Sequence, residues 1–145
     1  MPSKQRVGLA VKRLQWQHHR EATRRLLAGA GLSLVQWDVL RHLREDPDAS
    51  LRALAALTFQ TDQSMGELAR RMVERGLLRR VDGGGRAVRH ALTDEGIAAH
   101  EAGSGIVDEV LEETVGVLTD RERAELLALL EKALGGRGQA PGGSA

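Results

Sequence analysis

Apolar residues recur along most of this chain at helical spacing. Val7, Val11, Leu14, His18, Ala22 and Leu26 form one stripe, the signature of an amphipathic helix. They predict a first helix from about Lys4 to about Ala28, ended by Gly29-Ala30-Gly31. Ser33 followed three residues later by Gln36 makes a capping box, in which each side chain satisfies an otherwise orphaned backbone N–H. A second helix then runs through Trp37, Val39, Leu40 and Leu43 and stops at Asp46-Pro47-Asp48, because a residue before proline is pushed out of the helical region. Ser50 can cap a short helix, Leu51 to Leu57. Thr61 can cap the next, with Asp62 in its first turn, where negative charge is favoured. In that helix Met65, Leu68 and Met72 line one face with Ala69 beside them, and Gly76 closes it.

Leu77–Val81 and Ala87–Leu92 read as two strands. Asp82-Gly83-Gly84-Gly85-Arg86 between them predicts a hairpin, since the glycines permit the positive φ of a tight tip. Thr93-Asp94-Glu95 opens a helix carrying Ile97, Val107, Val110, Leu111 and Thr114 towards Val117. Gly103, Gly105 and Gly116 each weaken it by about 1 kcal/mol relative to alanine, so a bend or break is expected there. Thr119 and Glu122 form a second capping box, opening a last helix with Leu126, Leu127, Leu129, Leu130 and Leu134. Gly135–Ala145 is rich in Gly, Pro and Ser and reads as a disordered tail. The predicted fold is mainly α with a small β-hairpin wing. Two short helices joined by a tight turn and followed by a hairpin are a winged helix-turn-helix.

Charge sharpens this picture. The net charge of +1 is unevenly spread: residues 1–60 carry 10 basic and 5 acidic side chains, whereas residues 93–134 carry 3 and 11. A polyanion would be drawn to the first part and repelled by the last. The 145 residues contain no cysteine, which excludes disulfides and thiolate metal sites. No cofactor is expected. The five histidines offer no i, i+4 pair of the kind that grips zinc on one helix, so no metal site is expected either. No apolar run is long enough for a membrane span, and Met1–Val11 lacks the features of a signal peptide; the expected compartment is the cytoplasm. Gly83-Gly84-Gly85 precedes a strand and lacks the lysine of a phosphate-binding loop, and no Ser-His-Asp arrangement is legible. An enzyme is not expected.

The order and spacing of several segments resemble the MarR family of bacterial transcriptional regulators. The markers are Gly31-Leu32-Ser33-Leu34-Val35-Gln36-Trp37-Asp38-Val39-Leu40, Leu54-Ala55, Gly76-Leu77-Leu78-Arg79-Arg80, and the run Arg86-Ala87-Val88-Arg89-His90-Ala91-Leu92-Thr93-Asp94-Glu95-Gly96. The resemblance covers about Val7 to Leu134. It implies a homodimer with interlocked first and last helices, a recognition helix in the major groove, a wing in the flanking minor groove, and in many members release of DNA on binding a small aromatic or acidic effector. The implied organisation is a dimerisation helix over residues 1–30, a DNA-binding lobe over 31–95, dimerisation helices over 96–134, and the tail over 135–145. The chain departs from the family in two places. Glycine stands where most members have an acidic residue before the wing arginines, leaving Arg86 alone at the tip. Thr58-Phe59-Gln60 replaces a turn usually built from small, apolar and glycine residues, and Phe59 is either a core plug or part of a partner site.

On this reading the function is sequence-specific recognition of double-stranded DNA, as a repressor relieved by a small molecule. A helical dimer that binds another protein through its basic lobe is the alternative. Thr61, Asp62, Gln63, Ser64, Gly66, Glu67, Arg70 and Arg71 would form the recognition surface; glutamine can pair bidentately with adenine and arginine with guanine. Arg86 would enter a narrow minor groove, and Arg79, Arg80 and Arg89 would meet phosphates. Against this stands a plain solvated helix face and hairpin. Trp16, His19, Trp37 and Arg41 are candidates for effector contact, or for dimer and core packing.

Overall fold

The computed structural model describes residues 1–82 and 88–135. The tip residues Gly83 to Gly85, Arg86 and Ala87, and all of the proposed tail beyond Gly135, lie outside the described residues. In chain order the elements are α1 (Lys4–Ala30), α2 (Leu34–Glu45), α3 (Leu51–Leu57), α4 (Asp62–Glu74), β1 (Leu78–Asp82), β2 (Val88–Leu92), α5 (Asp94–Glu112), a 3-10 turn (Val115–Val117) and α6 (Asp120–Ala133). The architecture is a mainly helical winged helix with one two-stranded antiparallel hairpin.

Local side chains set most of the boundaries. Ser33 and Thr119 complete reciprocal capping boxes with Gln36 and Glu122. Ser50, Thr61 and Thr93 each accept a bond from the backbone N–H three residues on. Several limits shift from expectation, two of them through identifiable bonds or dihedrals. α1 continues to Ala30, because the first residue to leave the helix is Gly31, at φ 64°. β1 starts at Leu78, because the Leu77 N–H still bonds the Met72 carbonyl at 2.9 Å and completes the exit from α4. In the hairpin Leu78 faces Leu92 and Arg80 faces His90. A further bridge joins Ser50 to Arg89 and ties the start of α3 to the hairpin.

Of the bend or break expected at Gly103, Gly105 and Gly116, the break comes only at the last: α5 is continuous from Asp94 to Glu112 past the first two, and Gly116 falls in the 3-10 turn beyond it. Gly103 has a packing role that offsets its poor helix propensity. A Cβ there would lie 2.5 Å from Cδ1 of Trp37 and 3.2 Å from Leu26, so the missing side chain lets α5 close onto α2 and α1. Gly96 does the same at the start of α5, where a Cβ would come within 2.1 Å of the Leu77 carbonyl oxygen.

The core sits in the winged lobe. Leu32, Val39, Leu40, Leu43, Leu54, Met65 and Met72 are all at or below 2% exposure, and α2, α3, α4 and β1 pack around them. Fully burying each such side chain is worth about 1.5–3 kcal/mol. The chain ends differ. α1 buries only Ala22 and Leu26, and α6 buries no residue. Val7, Val11, Leu127, Leu129 and Leu134 remain half or more exposed.

Candidate nucleic-acid interface

The burial of α4 is sharply sided. Met65, Ala69 and Met72 are buried against α3 and β1, while Thr61, Asp62, Gln63, Ser64, Glu67, Arg70 and Arg71 are exposed and Gly66 is half-buried. The eight residues expected to form the recognition surface therefore share one outward face. At its N-terminal end Thr61 Oγ1 accepts from the Ser64 N–H at 3.1 Å, and Asp62 sits in that first turn, where the helix dipole favours negative charge. Arg70 is drawn along the helix to Glu74 by a 2.6 Å ion pair. Both ends of that pair are solvent-exposed, so it can yield to a phosphate.

The hairpin presents Arg79 and Arg80 exposed on β1 and Arg89 half-buried on β2. Arg80 also lines a cleft of about 450 Å³ between α4 and the hairpin, shared with Arg70, Glu74, Val88 and His90. His90 is 5% exposed, and among the described residues its Nδ1 has no hydrogen-bond partner. Burial, and then the nearby Arg80 charge, hold its pKa below the ordinary imidazole value.

One anchor of this face is not apparent in the sequence. Arg75 donates to the Gly31 carbonyl at 2.9 Å and to Gln36 Oε1 at 3.2 Å. It clamps the end of α4 to the α1–α2 junction. An arginine that looks like one more basic surface residue is a strut, and only the fold brings its partners, 44 and 39 residues away, into reach.

The four residues expected around an effector do not share one cavity. His19 lines a largely aliphatic space of about 610 Å³ between α1, α5 and α6, with His18, Ala22, Leu34, Val110 and Leu126. Trp16 lies 61% exposed and stacks on His19, ring centroids 6.0 Å apart. Trp37 and Arg41 lie on α2 instead. The Trp37 indole stacks on His100 at 6.2 Å and donates to Ser104 Oγ at 3.3 Å; the Arg41 guanidinium sits 5.8 Å from its ring while paired with Asp38 and Glu45. His18, which sequence alone placed on an apolar stripe, shares a 2.5 Å hydrogen bond with Thr114 and is kept below its ordinary pKa by burial. Among the described residues no group of three or more His, Cys, Asp or Glu is gathered for a metal ion. No described helix is long and apolar enough to cross a membrane.

A core built on a helix-turn-helix, a hairpin pinned behind it and a polar outward α4 define a winged helix-turn-helix protein. A model described as the MarR family matches residues 30–87. Among solved structures, the chain is similar to the Mycobacterium tuberculosis MarR family protein Rv2887 in complex with salicylic acid. Identity is 26%, the match covers 87% of this chain and 94% of that one, and the TM-score is 0.71. The same protein in complex with DNA matches at 25% identity, over 87% and 95%, with a TM-score of 0.71. The oxidised form of MarR from E. coli shares the fold at 22% identity, over 92% and 95%, with a TM-score of 0.74. No curated protein matches the sequence. The match over residues 30–87 and these likenesses are all to the MarR family of winged helix-turn-helix transcriptional regulators.

Proposed function

We propose that this chain binds specific sequences of double-stranded DNA as a homodimer and represses transcription until a small molecule releases it. The observation that carries the reading is the outward face of α4, with Thr61, Asp62, Gln63, Ser64, Glu67, Arg70 and Arg71 exposed while Met65, Ala69 and Met72 are locked in the core. On this reading Gln63, Glu67, Arg70 and Arg71 read base edges, while Thr61, Asp62, Ser64 and Gly66 shape the helix entry. Arg79, Arg80 and Arg89 meet phosphates, and Arg86 extends the wing. The likeness to Rv2887, whose solved complexes hold DNA and salicylic acid, supports both halves.

The dimer follows from the chain ends. Leu127 and Leu129 of α6 and Leu134 just beyond it are each more than 55% exposed, and Val7 and Val11 of α1 about half. Contiguous apolar surface of this kind is uncommon on soluble monomers, and pairing two copies about a twofold axis covers it. An effector with an aromatic or aliphatic body suits the cavity beside His18 and His19.

Selection from randomised duplexes is the test. It should return a pseudo-palindrome with half-sites ~10 bp apart, with affinity falling steeply as salt rises. Equal affinity for every duplex, or a flat salt response, defeats the reading. Salicylate titrated into the complex tests the effector arm: release of operator supports it, and undisturbed binding by salicylate and a panel of neutral phenols removes it.

A further inference from the structure

We propose that Phe59, in the turn before α4, reads DNA directly by packing its ring on the 5-methyl group of a thymine. The inference rests on the DNA-binding reading above and adds to it a residue outside the recognition helix.

The first ground is strain without internal return. Phe59 sits at φ 58°, the left-handed region that glycine enters freely and a residue with a Cβ does not. Its N–H bonds the Ala56 carbonyl at 3.4 Å and the Gln60 N–H bonds the Ala55 carbonyl at 2.8 Å, the pair of bonds that closes a helix through a left-handed residue. Glycine would serve this turn better. A buried ring could offset the strain, but Phe59 is 95% exposed, which rules out the core plug. It is the chain's only phenylalanine. Strain held at an exposed position is a mark of outward function.

The second ground is placement. Phe59 stands two residues before the Thr61 cap, and Gln60, Thr61, Asp62 and Gln63 after it are all exposed. The turn is also firmly held, since Thr58 is buried and its hydroxyl donates to the Leu54 carbonyl at 2.7 Å. A ring on a fixed turn loses little freedom on binding.

The third ground is chemistry. A phenyl ring offers no donor, acceptor or charge for a phosphate or a base edge. In the major groove its complement is the thymine methyl group.

The test uses the full-length chain and its selected operator, with each thymine replaced in turn by deoxyuridine, which removes one methyl and keeps the base pair. One position per half-site should weaken wild-type binding by about fivefold. F59G should weaken binding to the normal operator by a similar factor, show no further loss on that deoxyuridine duplex, keep the wild-type salt slope, and melt no lower than the wild type. Unchanged affinity of F59G overturns the proposal. So does a loss that is the same on thymine and deoxyuridine duplexes, or a defect confined to binding another protein. A wild-type chain that binds no duplex would instead defeat the underlying DNA-binding reading, so the two failures are distinguishable.

Discussion

Two glycines two residues apart in α5 should respond to the same substitution with opposite signs. A Cβ at Gly105 meets nothing within 4 Å, whereas one at Gly103 would lie 2.5 Å from Cδ1 of Trp37 and 3.2 Å from Leu26. Trp37 cannot easily give way. Its indole N–H bonds Ser104, one face stacks on His100, and Arg41 sits by the ring. G105A gains only helix propensity, about 0.5–1 kcal/mol. G103A gains the same and loses about 1–3 kcal/mol to overpacking, a net loss of about 1 kcal/mol. The variants should therefore differ by about 2 kcal/mol, or ~6 °C in melting temperature for a chain of this size. Thermal unfolding at one fixed protein concentration measures it. In a Trp16→Phe background the fluorescence of Trp37 reports the same packing, and G103A should shift it while G105A does not. If G103A melts at or above the wild type, the close approach of α5 to α2 is not what keeps glycine at position 103.

Other outcomes follow from the same geometry. Gln63→Ala should change which bases a site selection returns while leaving the melting temperature within about 1 °C, because exposed helix positions away from caps and cores are near-neutral for stability; an unaltered site and affinity would misplace the recognition helix. Truncation before Thr119 should convert a dimer into a monomer or an aggregate with no operator binding, as read by sedimentation at micromolar concentration; a truncated dimer that still binds would reassign the interface. Stability should fall on acidification below pH 6.5. Burial lowers the pKa of His18, His42, His90 and His100 from an ordinary value of 6.5, so between the folded and unfolded values the unfolded chain binds more protons. Their contribution is complete above pH 6.5 and is lost as pH drops towards the depressed folded values. His90→Phe should flatten that dependence in urea midpoints between pH 7.5 and 5.5, and an unchanged slope would clear His90 of any part in it.

Much of this fold was legible because its signals are local. The Ser33 and Thr119 boxes and the Thr61 cap each need only a few neighbouring residues and are present as read; of the face read as Met65, Leu68 and Met72 with Ala69 beside it, Met65, Ala69 and Met72 are buried and Leu68 is partly buried against the core. The outward set on α4 was equally visible, being what remains once the apolar stripe is removed. The sequence misled where a distant partner decides. Gly103 and Gly105 look alike in a helical pattern, and only the arrival of Trp37 from α2 explains why α5 runs unbroken past the first. Arg75 gains its strut role from Gly31 and Gln36 across the lobe. Of the effector candidates Trp16, His19, Trp37 and Arg41, His19 lines the aliphatic cavity between α1, α5 and α6, a placement that depends on how α1 meets α5 and not on any local signal.

The continuity of α5 makes it a lever. Its 19 residues span about 28 Å at the rise of an α-helix. One end is locked to the base of the hairpin, where Gly96 lies under the Leu77 carbonyl and the Thr93 hydroxyl donates to the Gly76 carbonyl at 2.5 Å. Just past the other end, Thr114 is fastened to His18 of α1. A rod of that length tilted by only ~5° moves its far end by about 2.4 Å, nearly the length of a hydrogen bond. If the chain works as proposed, a molecule that shifts α1 against Thr114 need not reach the outward face of α4 to disturb it. The same stiffness means that slack introduced anywhere along α5 would uncouple the two ends without altering either one.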